Sequence, residues 1–333
     1  MIYYLLRRLV GAVAVLFGVV TGTFVLSHVV PSCPACAVAG VRAGPAQIAA
    51  AAHSLGLDRP VWDQYVTYIS GLARGDFGIS YASRQEIGPA ILTYLPATLE
   101  LVVYSFIVYA ILGVGLGLIW AWRGNRPESW IIRVFSMLGT ALPVFWFAMV
   151  LQLWLGSRLG WFPITGRLDM DPPPTITGFY TIDALAAGNL DAFVNALWHL
   201  ALPVAALVMW LFAVAARLTQ KSVVEEMQMP YVRTAIAKGA GTRRVILGHV
   251  LRNAINPVIT MLGLQFGWLL GGTVLVEVVF SWPGIGTYMF NALQTFDFPA
   301  IMAVTVVITL GFVLVNLVVD LIYPVVDPRI RLT

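Results

Sequence analysis

The sequence has 333 residues, of which 59% are hydrophobic and only 11% charged, and its mean hydropathy is +0.84. Globular domains average about 45–50% apolar and about 25% charged residues, so a soluble enzyme, a coiled coil and a disordered chain are all excluded. The formal net charge is +4; in an integral membrane protein such an excess marks cytoplasmic loops rather than nucleic-acid binding.

A helix crosses the hydrocarbon core with about 20 apolar residues. Stretches free of Asp, Glu, Lys and Arg reach that length six times, at 9–30, 101–122, 134–157, 196–216, 253–276 and 298–319. Six spans are predicted, with both termini on one side. The first stretch follows Arg7 and Arg8 as a signal peptide would, but an h-region has about 7–15 residues. This one has 22, and a retained span is expected.

Just beyond it, Cys33-Pro34-Ala35-Cys36 is a C-x-x-C. Outside the cell it is read as a local disulfide, as two inert thiols or as half of a metal or redox site. The connection 31–100 is too long for a simple turn. After Leu57-Asp58-Arg59-Pro60, the residues Val61, Tyr65, Tyr68, Ile69 and Leu72 recur at helical spacing, with Pro60 suited to the first helical position. A short amphipathic helix on the membrane face is predicted, serving either as a docking surface or as a cap over the span ends. The connection 158–195 carries Pro172-Pro173-Pro174, which cannot be helical, and is expected to be a loop.

Lys and Arg orient the bundle. The N-terminus, 123–133, 217–252 and the tail hold 14 of the 20 basic residues, although the alternate segments are longer in total. The positive-inside rule places both termini in the cytoplasm.

Much chemistry is missing. The chain has no G-x-x-x-x-G-K-[ST], G-x-S-x-G or H-E-x-x-H motif, and His28, His53, His199 and His249 lack ligand spacing. No catalytic residue, cofactor or metal is expected. Glu100, Glu277 and Asp320 fall at span ends, where charges reach the interface cheaply. Paired ionisable groups for an ion-driven transporter are therefore wanting.

The inner segment 217–252 is rich in signal. Arg233-Thr234-Ala235 is followed after three residues by Gly239, and His249 and Leu251 stand ten and twelve residues beyond it. This resembles the EAA loop of ABC-importer permeases, E-A-A-x3-G-x9-I-x-L-P, in the form found in the dipeptide, oligopeptide and nickel branch. Arg252 stands where that motif has proline. The small residues Ala235, Ala237, Gly239, Ala240 and Gly241 suit a short helix pressed against another protein, with Gly239 turning the backbone between two helices. The resemblance extends to Leu55-Gly56-Leu57-Asp58, Gly75-Asp76-Phe77-Gly78, Leu142-Pro143-Val144-Phe145-Trp146, Ser281-Trp282-Pro283-Gly284 and Asp327-Pro328-Arg329. One departure is Pro31-Ser32-Cys33-Pro34, where a P-G-D-P turn is usual.

The resemblance implies an all-α membrane protein of six helices with the type I ABC-importer permease fold. Its segments are the first span (1–30), an outer segment (31–100), a five-helix core (101–323) and an inner tail (324–333). It further implies a peptide importer of the bacterial inner membrane, with a second, related permease subunit, two cytoplasmic ABC ATPases and an extracytoplasmic substrate-binding protein. Nickel and glutathione are alternative cargoes; a secondary transporter or channel is the reading from another class. The ATPase-coupling residues are then Tyr231, Arg233, Thr234, Ala235, Ala237, Lys238, Gly239, His249 and Leu251. Pro143, Trp146, Gln265 and Glu277 are pathway or gate candidates. Gly263, Gly267 and Gly271, four apart, form a helix-packing stripe facing either another span or a second permease.

Overall fold

The computed structural model describes residues 2–29, 34–40, 43–124 and 126–326. Among them there is no strand, only an isolated bridge between Ile79 and Glu86. Five helices are long and apolar enough to cross a membrane, and a sixth crossing exists if one sharply bent pair counts as a single span.

In chain order the helices are α1 (Ile2–Val29), α2 (Pro34–Ala39), α3 (Pro45–Ser54), α4 (Val61–Ala73), α5 (Ile87–Arg123), α6 (Pro127–Ala141) and α7 (Val144–Leu151), which runs into a π-helical turn, Gln152–Arg158. Then come α8 (Tyr180–Ala186), α9 (Leu190–Met227), α10 (Pro230–Ala237), α11 (Thr242–Val245) with a second π-turn, Ile246–Val250, and α12 (Leu251–Gly272). The last are α13 (Val274–Val279), α14 (Ile285–Gln294) and α15 (Phe298–Val326). The predicted outer helix is α4, except that Pro60 is its N-cap, extended at φ −50° and ψ 141°, and not its first helical residue.

The expected third span, 134–157, is not continuous. The helix α6 and the helix that starts at Val144 meet at 112°. Pro143 has no N–H to donate and disfavours the α conformation at the residue before it. Leu142 accordingly lies at φ −91° and ψ 133°.

The chain divides into two units, Met1–Thr98 with Pro283–Val313, and Leu99–Trp282 with Leu314–Thr333. In the first, α4 lies on α1: the Tyr65 and Thr21 hydroxyls are 2.7 Å apart, and the Phe24 ring meets those of Tyr65 and Tyr68 at 5.1 and 5.9 Å. Ile87 and Ile91 of α5 form a core with Ile285 and Ala292 of α14 and with Ala300, Ala303 and Val304 of α15. Buried Asp297 ties the loop after α4 to this core, accepting from the Ser80 hydroxyl and from the Tyr81 and Ala82 N–H groups, the latter two at 3.0 and 3.3 Å.

The second unit is organised around α9, against which α6, α7, α8 and α12 pack. Glycines allow the close approach. A methyl group on Gly113 would meet the Ala215 methyl at 2.5 Å, and one on Gly117 would meet the Ala216 carbonyl and Thr219 at 2.6 Å. Gly139 of α6 leaves the same room for the Met209 carbonyl. In lipid, where apolar surface gains little by leaving its solvent, such contacts join helices.

Candidate functional site

The segment 217–252 leaves α9 after Met227. Met229 is extended, and Pro230 then opens α10 at a position where the missing N–H costs nothing. Val232 is buried among Ala121, Val223, Val245, Val250 and Ala254, and Ala235, one turn on, packs on the same core. The small-residue face expected to meet another protein is thus partly turned inward, because Val232 and Ala235 at i, i+3 share one side of the helix. The outward side presents Arg233, Thr234, Ile236, Ala237 and Lys238.

Lys238 ends α10, and Gly239 follows at φ +79°, a left-handed conformation that glycine adopts at little cost. Gly241 is the N-cap of α11. The Tyr231 hydroxyl donates to Glu226 and accepts from the Asn253 amide at 3.1 Å, pinning α10 between the end of α9 and the start of α12. Burial, followed by the adjoining Glu226 carboxylate, raises the Tyr231 pKa, so this phenol stays protonated and keeps its donor at neutral pH. His249 is exposed and Leu251 half-buried. Around this segment Met227, Met229, Ile236 and Leu247 are exposed beside Arg233, Lys238, Arg243, Arg244 and Arg252. An apolar and basic surface of this kind suits a protein partner.

The pathway candidates are arranged less uniformly. Pro143 and Trp146 are exposed, whereas Gln265 and Glu277 are buried. Because α13 packs on α7, Trp146 and Glu277 sit on neighbouring elements. Gln265 is on α12, and its Oε1 has no hydrogen-bond partner among the described residues. The glycine stripe is not one uniform face. A methyl on Gly263 would strike Val319 of α15 at 2.6 Å, and Gly267 is buried, but Gly271 is exposed with open space around it. Cys33 lies outside the described residues, and no described cysteine is a free thiol.

A second polar constellation escaped the sequence reading. Glu100, expected at the membrane interface, is 1% exposed and accepts from Arg167, itself 7% exposed. The other carboxylate oxygen accepts from the Thr181 N–H (2.9 Å) and hydroxyl (2.7 Å). The Arg167 guanidinium also donates to the Gly178 carbonyl at 3.0 Å and lies 3.7 Å from the Tyr180 ring centroid. Glu277 and Asp320 are likewise buried. An ionised group can be buried only with such partners, and Glu100 obtains them from residues far along the chain. Next to this pair, His199 Nδ1 lies 3.1 Å from the Gly166 carbonyl and Nε2 lies 3.0 Å from Asp169. Asp183 gathers the N–H groups of Ile176, Thr177 and Gly178 and the Thr177 hydroxyl. Its burial favours the neutral acid, but these four donors outweigh it and hold the carboxyl below its ordinary value. Among the described residues, no cluster of three metal-ligating side chains occurs.

A bent, glycine-packed bundle of helices long and apolar enough to cross a bilayer defines an integral membrane protein. Comparison with known proteins narrows this. Residues 113–332 match the binding-protein-dependent transport system inner membrane component family, and residues 1–102 match the N-terminal region described for such components. The chain belongs to that family. It is 40% identical over 99% of its length to a dipeptide transport system permease protein of Alkalihalophilus pseudofirmus, all of which is covered. It is also 40% identical to a probable D,D-dipeptide transport system permease protein of Escherichia coli, over 97% of this chain and 96% of that protein. A glutathione transport system permease protein of Shigella boydii is 36% identical over 99% of both chains.

Proposed function

We propose that this chain is the membrane-spanning permease subunit of an ATP-driven importer of di- and oligopeptides. It would form half of the pathway beside a second, related permease. Two cytoplasmic ATPases would dock on its inner segment, and an extracytoplasmic binding protein would deliver the peptide. Hydrolysis is left to the ATPases, and both termini face the cytoplasm. The observation that carries the cargo reading is the end-to-end similarity to dipeptide permeases at 40% identity. Glutathione, itself a small peptide, is the second reading, supported by the similarity at 36%.

The inner segment supports the coupling role. α10 is fixed to its own bundle by Val232 and Tyr231 while Arg233, Ile236 and Lys238 remain outside. A displacement of the docked ATPase would reach α9 and α12 through those two anchors. The test is a reconstituted complex of both permeases, both ATPases and the binding protein, supplied with labelled dipeptide. Uptake should require ATP, and Gly239→Val should abolish it by forcing a β-branched residue into left-handed backbone. Peptide uptake without ATP or ATPase subunits would make the chain a secondary transporter or channel.

A further inference from the structure

We propose that α4 lies immersed in the lipid at the end of α1, with Trp62, Val66, Ile69 and Ala73 turned into the acyl chains. Two apolar stripes run along this helix. The one holding Tyr65 and Tyr68 is spent on Thr21 and Phe24 of α1. The other has the spacing i, i+4, i+7, i+11 of a single helix face, and it is largely bare. Trp62 is 69% and Val66 48% exposed, Ala73 is exposed and Ile69 half-buried.

The polar flanks of the helix show which side meets water. At about 100° per residue, Gln64 and Gly71 fall on the side of α4 opposite the bare stripe, and both flanks fold over that side. The Gln64 amide donates to the Leu57 and Arg59 carbonyls at 3.3 and 2.9 Å. The Asp76 N–H donates to the Gly71 carbonyl at 3.0 Å, and the Asp76 carbonyl lies 3.4 Å from where a Gly71 methyl would stand. Asp58, Arg59, Arg74 and Asp76, which these flanks carry, are all exposed. Water is therefore on the Gln64 side, and the apolar stripe faces away from it. The depth agrees. The apolar span of α1 ends at Ser27, and Phe24 and Thr21 precede that end by about 5 and 9 Å at 1.5 Å per residue. A helix lying in the interface sinks its apolar face by about 5–10 Å into the headgroup and acyl boundary. Trp62, Tyr65 and Tyr68 are residue types that favour this level. The immersion depends on α1 being a span and on nothing about the cargo.

The experiment attaches a nitroxide to Trp62→Cys, Asp63→Cys, Val66→Cys or Thr67→Cys in the full chain, reconstituted in vesicles of phosphatidylcholine and phosphatidylglycerol. All four side chains are exposed, so folding is not at stake, and the unsubstituted chain is the blank because no described cysteine is a free thiol. Collisions of the label with oxygen and with a water-soluble nickel chelate, present on both sides, give its depth. At positions 62 and 66 oxygen should prevail severalfold, placing the labels about 5–10 Å below the phosphates. Nickel access should be severalfold higher at 63 and 67, one residue on and about 100° round the helix. Equal nickel access at all four positions would leave the helix in water and overturn the immersion. Equal protection at all four would bury the helix on every side and overturn it too. Protection of 62 and 66 that appears only when the second permease or the binding protein is added would assign the stripe to a protein, which also overturns it.

Discussion

At the start of α9, polar groups are partnered: Arg167 meets Glu100, His199 Nε2 lies beside the Asp169 carboxylate, and Asp183 is ringed by N–H groups. At its other end Arg233, Lys238, Arg243 and Arg244 have no carboxylate among the described residues, and Ile236 and Leu247 lie open. One connection has closed on itself, although it carries three consecutive prolines. The other is only half closed, with Val232 and Ala235 buried and the opposite side bare. Such a difference separates a loop that is complete within its own chain from one completed by another molecule. Exposed apolar residues set among unpaired charges are the usual mark of the second kind.

The sharpest way to break this comparison is to strand a charge. Glu100→Ala or Arg167→Ala leaves its partner ionised and buried, which typically costs about 3–5 kcal/mol. Arg233→Ala should remain within about 0.5 kcal/mol, as exposed substitutions do. Thermal unfolding in detergent reads both, and similar melting points would erase the contrast. A smaller effect tests the packing between the two ends. Gly117→Leu overpacks the contact with Ala216 and Thr219, at about 1–3 kcal/mol, while Gly271→Leu projects into open space and should melt as the parent does. A destabilised Gly271→Leu would show that Gly271 is covered within the chain.

The smallest effect depends on pH. The folded pKa of Asp183 is lowered, so its carboxylate contributes fully above about pH 4, its unfolded value. That contribution is lost as pH falls through the lower folded value. Hydrogen exchange over residues 176–186 should accelerate on acidification, and Asp183→Asn should remove the dependence. Acceleration that persists in the variant would assign it to another group.

The apolar stretches and the turn at Gly239 were legible because their signals are local. A run of apolar side chains needs no knowledge of its neighbours, and a glycine after a short helix is where φ +79° occurs. What escaped was settled at a distance. Glu100 and Arg167 are 67 residues apart, and nothing near either one announces the other. Gly113 and Gly117 are as prominent in the sequence as Gly263, Gly267 and Gly271, yet only contact with α9 or α15 shows which of them carry packing. Ala235 turns inward because Val223 and Val250 stand behind it, on helices outside the motif. Pro143 stood out as a gate candidate, but the 112° bend there interrupts a run of apolar residues that reads as one span.

The unbroken length of α9, 38 residues with Pro203 inside it, also bears on how such a gene can change. Each residue of an α-helix turns the chain by about 100°. A single insertion between His199 and Ala215 would rotate the far end by that angle, carrying Ala215 and Thr219 off Gly113 and Gly117 and Val223 off Ala121. Substitution along α9 is judged one site at a time, but a change of length is judged everywhere downstream at once. Insertions and deletions therefore belong in the connections. Among homologous genes, variation in length should gather before α4 and between the first π-turn and α8, and the register of α9 should stay fixed.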